Sequence, residues 1–115
     1  MARLVFVPPV PLNAFPYKRF DLVVKRVTIG EIKREVEFAK EAGVPIENYI
    51  RHESTVRVLN EALGLDLKPS SALYQHKYGD TIIVVGLKKP VRGQEVQVSL
   101  EDLDLAIIQV HVWEE

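Results

Sequence analysis

The stretch YIRHESTVRVLNEALG, residues 49–64, is the one from which the rest of the chain is read. Val56, Leu59 and Leu63 recur at helical spacing, and Val58 and Ala62 widen the apolar stripe. Gly64 stands where a helix takes a left-handed stop residue. Ser54 or Thr55 is placed to cap the first free backbone N–H groups. Glu53 with Arg57, and Arg57 with Glu61, are four apart and suit pairing along the outer side. The chemistry sits in the first turn. Arg51, His52, Ser54 and Thr55 gather at the positive end of a helix dipole, where anions such as phosphate are favoured. An imidazole can give or take a proton near neutral pH. Hydroxyls donate to phosphate oxygens, and a guanidinium grips phosphate through two parallel hydrogen bonds. The same residues also serve plain helix capping, in which a polar first turn carries no chemistry.

Upstream, residues 28–31 read T-I-G-E, a capping box, and a helix is expected from there to about Ala42. Ile29, Ile32, Val36 and Ala39 form its inner stripe and Gly43 stops it. Residues 3–7 are apolar on both faces, as in a central strand. Pro8, Pro9 and Pro11 end that strand, because proline cannot donate to a ladder. Asn13 follows just beyond its end. Ligands of α/β sheets gather outside the carboxyl ends of strands. Asn13 is therefore read either as a ligand contact or as a turn residue with Phe15 packed beneath it. A second strand is expected over residues 20–27, and residues 44–50 read as a connection.

Downstream, residues 65–69 are a linker or a short edge strand. Residues 70–77 and 81–87 read as the arms of a hairpin turned at Tyr78-Gly79-Asp80. The second arm, TIIVVGL, is apolar on both sides and belongs in the sheet centre. The basic connection KKPVRGQE, residues 88–95, is either a functional loop or a solvated turn. Ser99 with Asp102 opens a short helical turn, and a last strand runs over residues 105–112. Val110, Val112 and Trp113 near the terminus suit either self-association or edge packing.

The whole chain narrows the options. At 115 residues without internal repeats, a single domain is expected. With no cysteine, thiolate catalysis, disulfides and Cys-based zinc sites are excluded. His52, His76 and His111 lie far apart without ligand spacing, so no metal site and no cofactor are expected. A net charge of −1 with interspersed signs argues against duplex DNA as a partner, which would need a basic face. No apolar run approaches the ~20 residues of a membrane helix, and a soluble, cytoplasmic protein is expected.

The combination of Asn13-Ala14-Phe15, of R-H-E-S-T over residues 51–55 and of the loop 88–95 resembles the viral ring nucleases, the type III CRISPR inhibitors of archaeal viruses. That family carries an N-A-F strand end, a G-H-x-S-T helix start, and an apolar strand running into an R-x-x-E loop. In this chain Arg51 replaces the family's glycine and Pro16 its serine after N-A-F. The resemblance implies a single α/β domain with a central mixed sheet of about five strands and flanking helices, forming a homodimer around one cyclic tetra-adenylate. It implies metal-independent cleavage to linear di-adenylate ending in a 2′,3′-cyclic phosphate. In that scheme His52 is the general acid, Arg92 stabilises the phosphorane and Glu95 orients or deprotonates the attacking hydroxyl. Asn13, Phe15, Arg51, Ser54, Thr55 and Lys88 contact the ligand, with Lys88 a second cation for Arg92's role. The alternative reading is a viral protein that binds a cyclic oligonucleotide or nucleic acid without cutting it.

Overall fold

Strand β1 (Arg3–Val7) is buried from Leu4 to Val7, as its two-sided apolar sequence requires. In the computed structural model, which describes residues 2–88 and 97–115, β1 lies between two parallel neighbours. One is β3 (Ile46–Asn48) and the other is β4 (Asp80–Leu87). Strand β5 (Leu103–Glu114) pairs antiparallel with β4 and with β2 (Arg19–Arg26). The five-stranded mixed sheet has the order β2-β5-β4-β1-β3. With α1 (Ile29–Ala42) and α2 (Glu53–Leu63) it makes one α/β domain.

Both helices cover the same face. Leu4, Phe6, Ile83 and Val85 from the sheet meet Ile32 and Val36 of α1 and Val56, Leu59 and Leu63 of α2. The opposite face presents Val5, Val7, Ile82 and Ile108. It is closed by irregular chain, with Ala14, Phe15 and Tyr74 as the buried plugs. The alternation of β1 and β4 thus feeds two cores at once, which is why neither strand shows a polar side.

The α1 capping box and both glycine stops act as the sequence suggests. The Thr28 hydroxyl accepts from the Glu31 N–H at 3.2 Å and the Glu31 carboxylate accepts from the Thr28 N–H at 3.4 Å. Gly43 and Gly64 end their helices with φ of 70° and 64°. A Cβ at Gly43 would meet nothing within 4 Å, so a side chain there is opposed by backbone conformation alone. Gly43→Ala is therefore expected to lower stability by about 1–2 kcal/mol, the cost of the left-handed region for an L-residue, measured by urea denaturation.

Three expectations are corrected. Residues 70–77 form no strand. Tyr74 and His76 do point inward, but the backbone amides bond elsewhere, His76 to the Ala14 carbonyl at 2.8 Å and Ser70 to the Ile50 carbonyl at 2.9 Å. The partners of β4 are instead β1 and β5. Residues 44–50 contain β3, an edge strand too short to show a period. Residues 65–69 take the linker reading; the Asn60 side chain holds them, bonding the Leu67 amide and carbonyl at 2.8 and 3.0 Å. Arg57 pairs with neither Glu53 nor Glu61 among the described residues, because its guanidinium donates to the Gln97 side-chain oxygen at 2.6 Å.

The last strand is interior, not an edge. Val110 and Val112 are half-buried opposite Leu22 and Phe20 of β2. Trp113 stays exposed and donates its indole N–H to Asp21 at 2.8 Å.

Candidate functional site

Strands β3, β1 and β4 run in one direction, so their carboxyl ends share one side of the sheet. A groove of about 830 Å³ opens there. Its walls are Pro8 and Pro9 after β1, residues 49–53 with Thr55 after β3, residues 70–73, and residues 85–87 of β4. The size lies within the range of small-molecule sites, and the place is where α/β sheets put their ligands.

His52 stands on the groove wall because it is the N-cap of α2. Neither Ser54 nor Thr55 caps the helix, which corrects the expectation from sequence. Instead the His52 Nδ1 accepts the Thr55 backbone N–H at 3.2 Å. A backbone N–H can only donate, so this Nδ1 carries no proton and the neutral ring holds its proton on Nε2. The Thr55 hydroxyl lies 3.0 Å from the same Nδ1 and is buried. Arg51 is exposed on the same wall.

Ser54 faces inward. Its Oγ accepts the Val98 N–H at 2.8 Å. With the Arg57–Gln97 bond, this fixes residues 97 and 98 against the first two turns of α2. Lys88, just past β4 and exposed, donates its backbone N–H to the Asp102 carbonyl at 2.9 Å. The residues on both sides of 89–96 are thus anchored, one end beside the groove wall at Leu87 and the other beside the His52 turn. Arg92 and Glu95 lie outside the described residues.

The N-A-F segment takes the turn reading, with Phe15 packed beneath it. Asn13 is exposed in a single 3-10 turn (Leu12–Ala14), does not line the groove, and accepts the Gln75 side-chain N–H at its carbonyl at 3.3 Å. Phe15 is 3 % exposed and packs on Phe20 and His76, with ring centroids 5.4 and 5.7 Å away. It packs as a core residue of the helix-free face. Its apolar ring closes the helix-free face of the sheet, which no helix is available to cover. Of the expected site residues, the structure brings Arg51, His52 and Thr55 together on the groove and leaves Asn13 and Phe15 away from it.

Sequence reasoning missed the Pro8–Pro9 floor, Tyr49 and the 70–73 wall. Two prolines directly after a parallel strand were the available signal for the floor. The 70–73 wall left none, since its reading as a hairpin arm hid it. Leu73 is 82 % exposed at the groove, with Ser70 and Ser71 beside it.

Fold and groove define an α/β protein with a ligand-sized cleft at the carboxyl ends of its parallel strands. The chain belongs to the STIV B116-like family, whose profile matches residues 11–112. Among solved structures it is similar to B116 of Sulfolobus turreted icosahedral virus, with a TM-score of 0.74 at 13% identity over 93% of this chain and 98% of that one. At that identity the likeness is one of fold. No curated protein sequence matches the chain significantly. Among the described residues no helix is long and apolar enough to cross a membrane.

Proposed function

We propose that this chain is a metal-independent ring nuclease that cuts cyclic tetra-adenylate and so antagonises type III CRISPR signalling. The supporting observation is the position of His52. Its ring is fixed at a helix start on the wall of a groove at strand ends, beside Arg51 and Thr55. Two copies of the chain enclose one ring in this reading, each offering one groove.

The chemistry asks little of the protein. The ribose 2′-oxygen attacks the adjacent phosphorus, the P–O2′ bond forms and the P–O5′ bond breaks. The products are a 2′,3′-cyclic phosphate and a free 5′-hydroxyl. Because the nucleophile belongs to the substrate, the protein needs only to align it, stabilise the phosphorane charge and supply a proton to the leaving oxygen. His52 gives that proton. Arg51 adds positive charge at the groove. Arg92 and Glu95 take the charge-stabilising and 2′-hydroxyl roles that the R-x-x-E resemblance assigns, with Lys88 at the start of that segment.

Incubation with cyclic tetra-adenylate in excess EDTA is expected to yield di-adenylate bearing a cyclic phosphate, read by chromatography and mass. Recovery of intact ring together with ligand-dependent thermal stabilisation points to the second reading, a binder that does not cut. The occupation of the His52 Nδ1 by the helix amide is the observation behind that reading, since it shows the ring serving as a cap.

A further inference from the structure

We propose that Thr55 is the positioning residue of His52: its Oγ1 accepts the Nδ1 proton of the charged ring, so that one ring geometry serves both helix cap and proton donor. The inference rests on the ring-nuclease reading, in which His52 must be charged before it can release a proton to the 5′-oxygen.

The difficulty it resolves is geometric. In the neutral ring Nδ1 accepts the Thr55 N–H at 3.2 Å. Once both ring nitrogens carry protons, that arrangement sets one N–H against another, and a backbone amide cannot accept. The ring must then leave the cap or find an acceptor where it stands. Thr55 Oγ1, 3.0 Å from Nδ1, is such an acceptor, and it is the one side-chain oxygen within hydrogen-bond distance of Nδ1 among the described residues. A hydroxyl both donates and accepts, so it suits either state of the ring. Thr55 is 4 % exposed, so water does not readily replace it.

The charged groups about the ring come from three directions. Arg51 and Glu53 flank it in the chain. Arg57 and Glu61 lie along α2, and Asp66 and Lys68 follow that helix, all sharing a second, smaller groove with His52. Asp66 and Lys68 pair with each other at 3.2 Å. None of the six is hydrogen-bonded to either ring nitrogen, whereas Thr55 is.

During cleavage the Nε2–H bond breaks and an O5′–H bond forms as P–O5′ separates. The Nδ1 proton stays on the ring, held to Thr55 Oγ1. The proton lost by the 2′-hydroxyl passes to water, and water returns one proton to Nε2, so the cycle closes without net change.

The test uses the full chain with ¹⁵N-labelled histidine, as parent protein, Thr55→Val and Thr55→Ser. Valine keeps the shape and removes the oxygen; serine restores it. In the neutral ring of the parent, two-bond ¹H–¹⁵N spectra are expected to show the proton on Nε2. In acid, an Nδ1–H slow to exchange is expected in the parent and in Thr55→Ser and absent from Thr55→Val. On cyclic tetra-adenylate, kcat is expected to fall about 10- to 100-fold in Thr55→Val, the weight of one hydrogen bond to a charged group, and to recover in Thr55→Ser. A neutral ring protonated on Nδ1, or a Thr55→Val variant that keeps both the slow Nδ1–H and the parent kcat, overturns the assignment. A parent protein that leaves the ring intact overturns the functional reading instead, and the Thr55–His52 pairing is then decided by the spectra alone.

Discussion

His52→Ala is expected to slow cyclic tetra-adenylate cleavage by about 10²–10⁴-fold, the usual weight of a general acid. On the barrier this amounts to about 2.7–5.5 kcal/mol. The same substitution removes the N-cap of α2, which costs about 1 kcal/mol of stability. The two effects are therefore of different size and are separable. His52→Asn separates them by design. Asparagine is among the best N-caps and can accept the Thr55 N–H, but it has no proton to give at neutral pH. The expected pattern is a melting temperature close to the parent in His52→Asn, a lowered one in His52→Ala, and loss of cleavage in both. A His52→Asn protein that cuts at the parent rate would show that His52 is a cap and nothing more.

That separation matters because the sequence displays the cap and the chemistry in the same residues. The helix after His52 was legible from Val56, Leu59 and Leu63, which are all buried, and from Gly64, which does adopt the left-handed conformation. The capping box at Thr28 and the strand at residues 3–7 were legible for similar reasons: each depends on contacts within a few residues. What failed depends on distant partners. The inward alternation of Tyr74 and His76 is real, yet it reports burial and says nothing about which backbone lies alongside. β3 takes its strand character from pairing with β1, since three residues behind Pro45 have no period of their own. Phe15 shows the same limit at the site. An aromatic residue past a strand end fits a ligand platform and a core plug equally well, and only the uncovered face of the sheet decides between them. The groove became visible once the parallel pairing had set three carboxyl ends side by side.

Asp80→Ala is expected to be the most destabilising single substitution away from the groove, by about 3–5 kcal/mol. That is a large part of the roughly 5–15 kcal/mol available to a domain. The Asp80 side chain is 0% exposed and that of its partner Arg3 is 12% exposed. The guanidinium meets it with two hydrogen bonds, at 2.8 and 2.7 Å. The Tyr74 hydroxyl and the Lys77 amide also donate to the carboxylate, at 2.5 and 3.1 Å. Arg3 reaches Glu47 and Tyr49 as well, so the cluster ties β1, β3 and β4 to Tyr74 and Lys77. Removing the carboxylate leaves a guanidinium enclosed with only Glu47 to balance it. Acid should reach the same weakness. Burial alone would raise the Asp80 carboxyl, but the hydrogen bonds from Arg3, Tyr74 and the Lys77 amide outweigh it and hold the group below its ordinary value. A carboxyl lowered on folding contributes in full above the unfolded value of about 4 and loses that contribution as pH falls below it. His76 adds an earlier step. Burial lowers its ring, with Asp80 opposing and Arg3 assisting, so its contribution fades as pH drops below the unfolded value of about 6.5. The urea midpoint of the parent should therefore decline gently from about pH 6.5 and steeply below about pH 4. In Asp80→Asn the steep fall should be much reduced while the gentle one remains. Parallel curves for the two proteins below pH 4 would mean that Asp80 does not hold this corner of the sheet together.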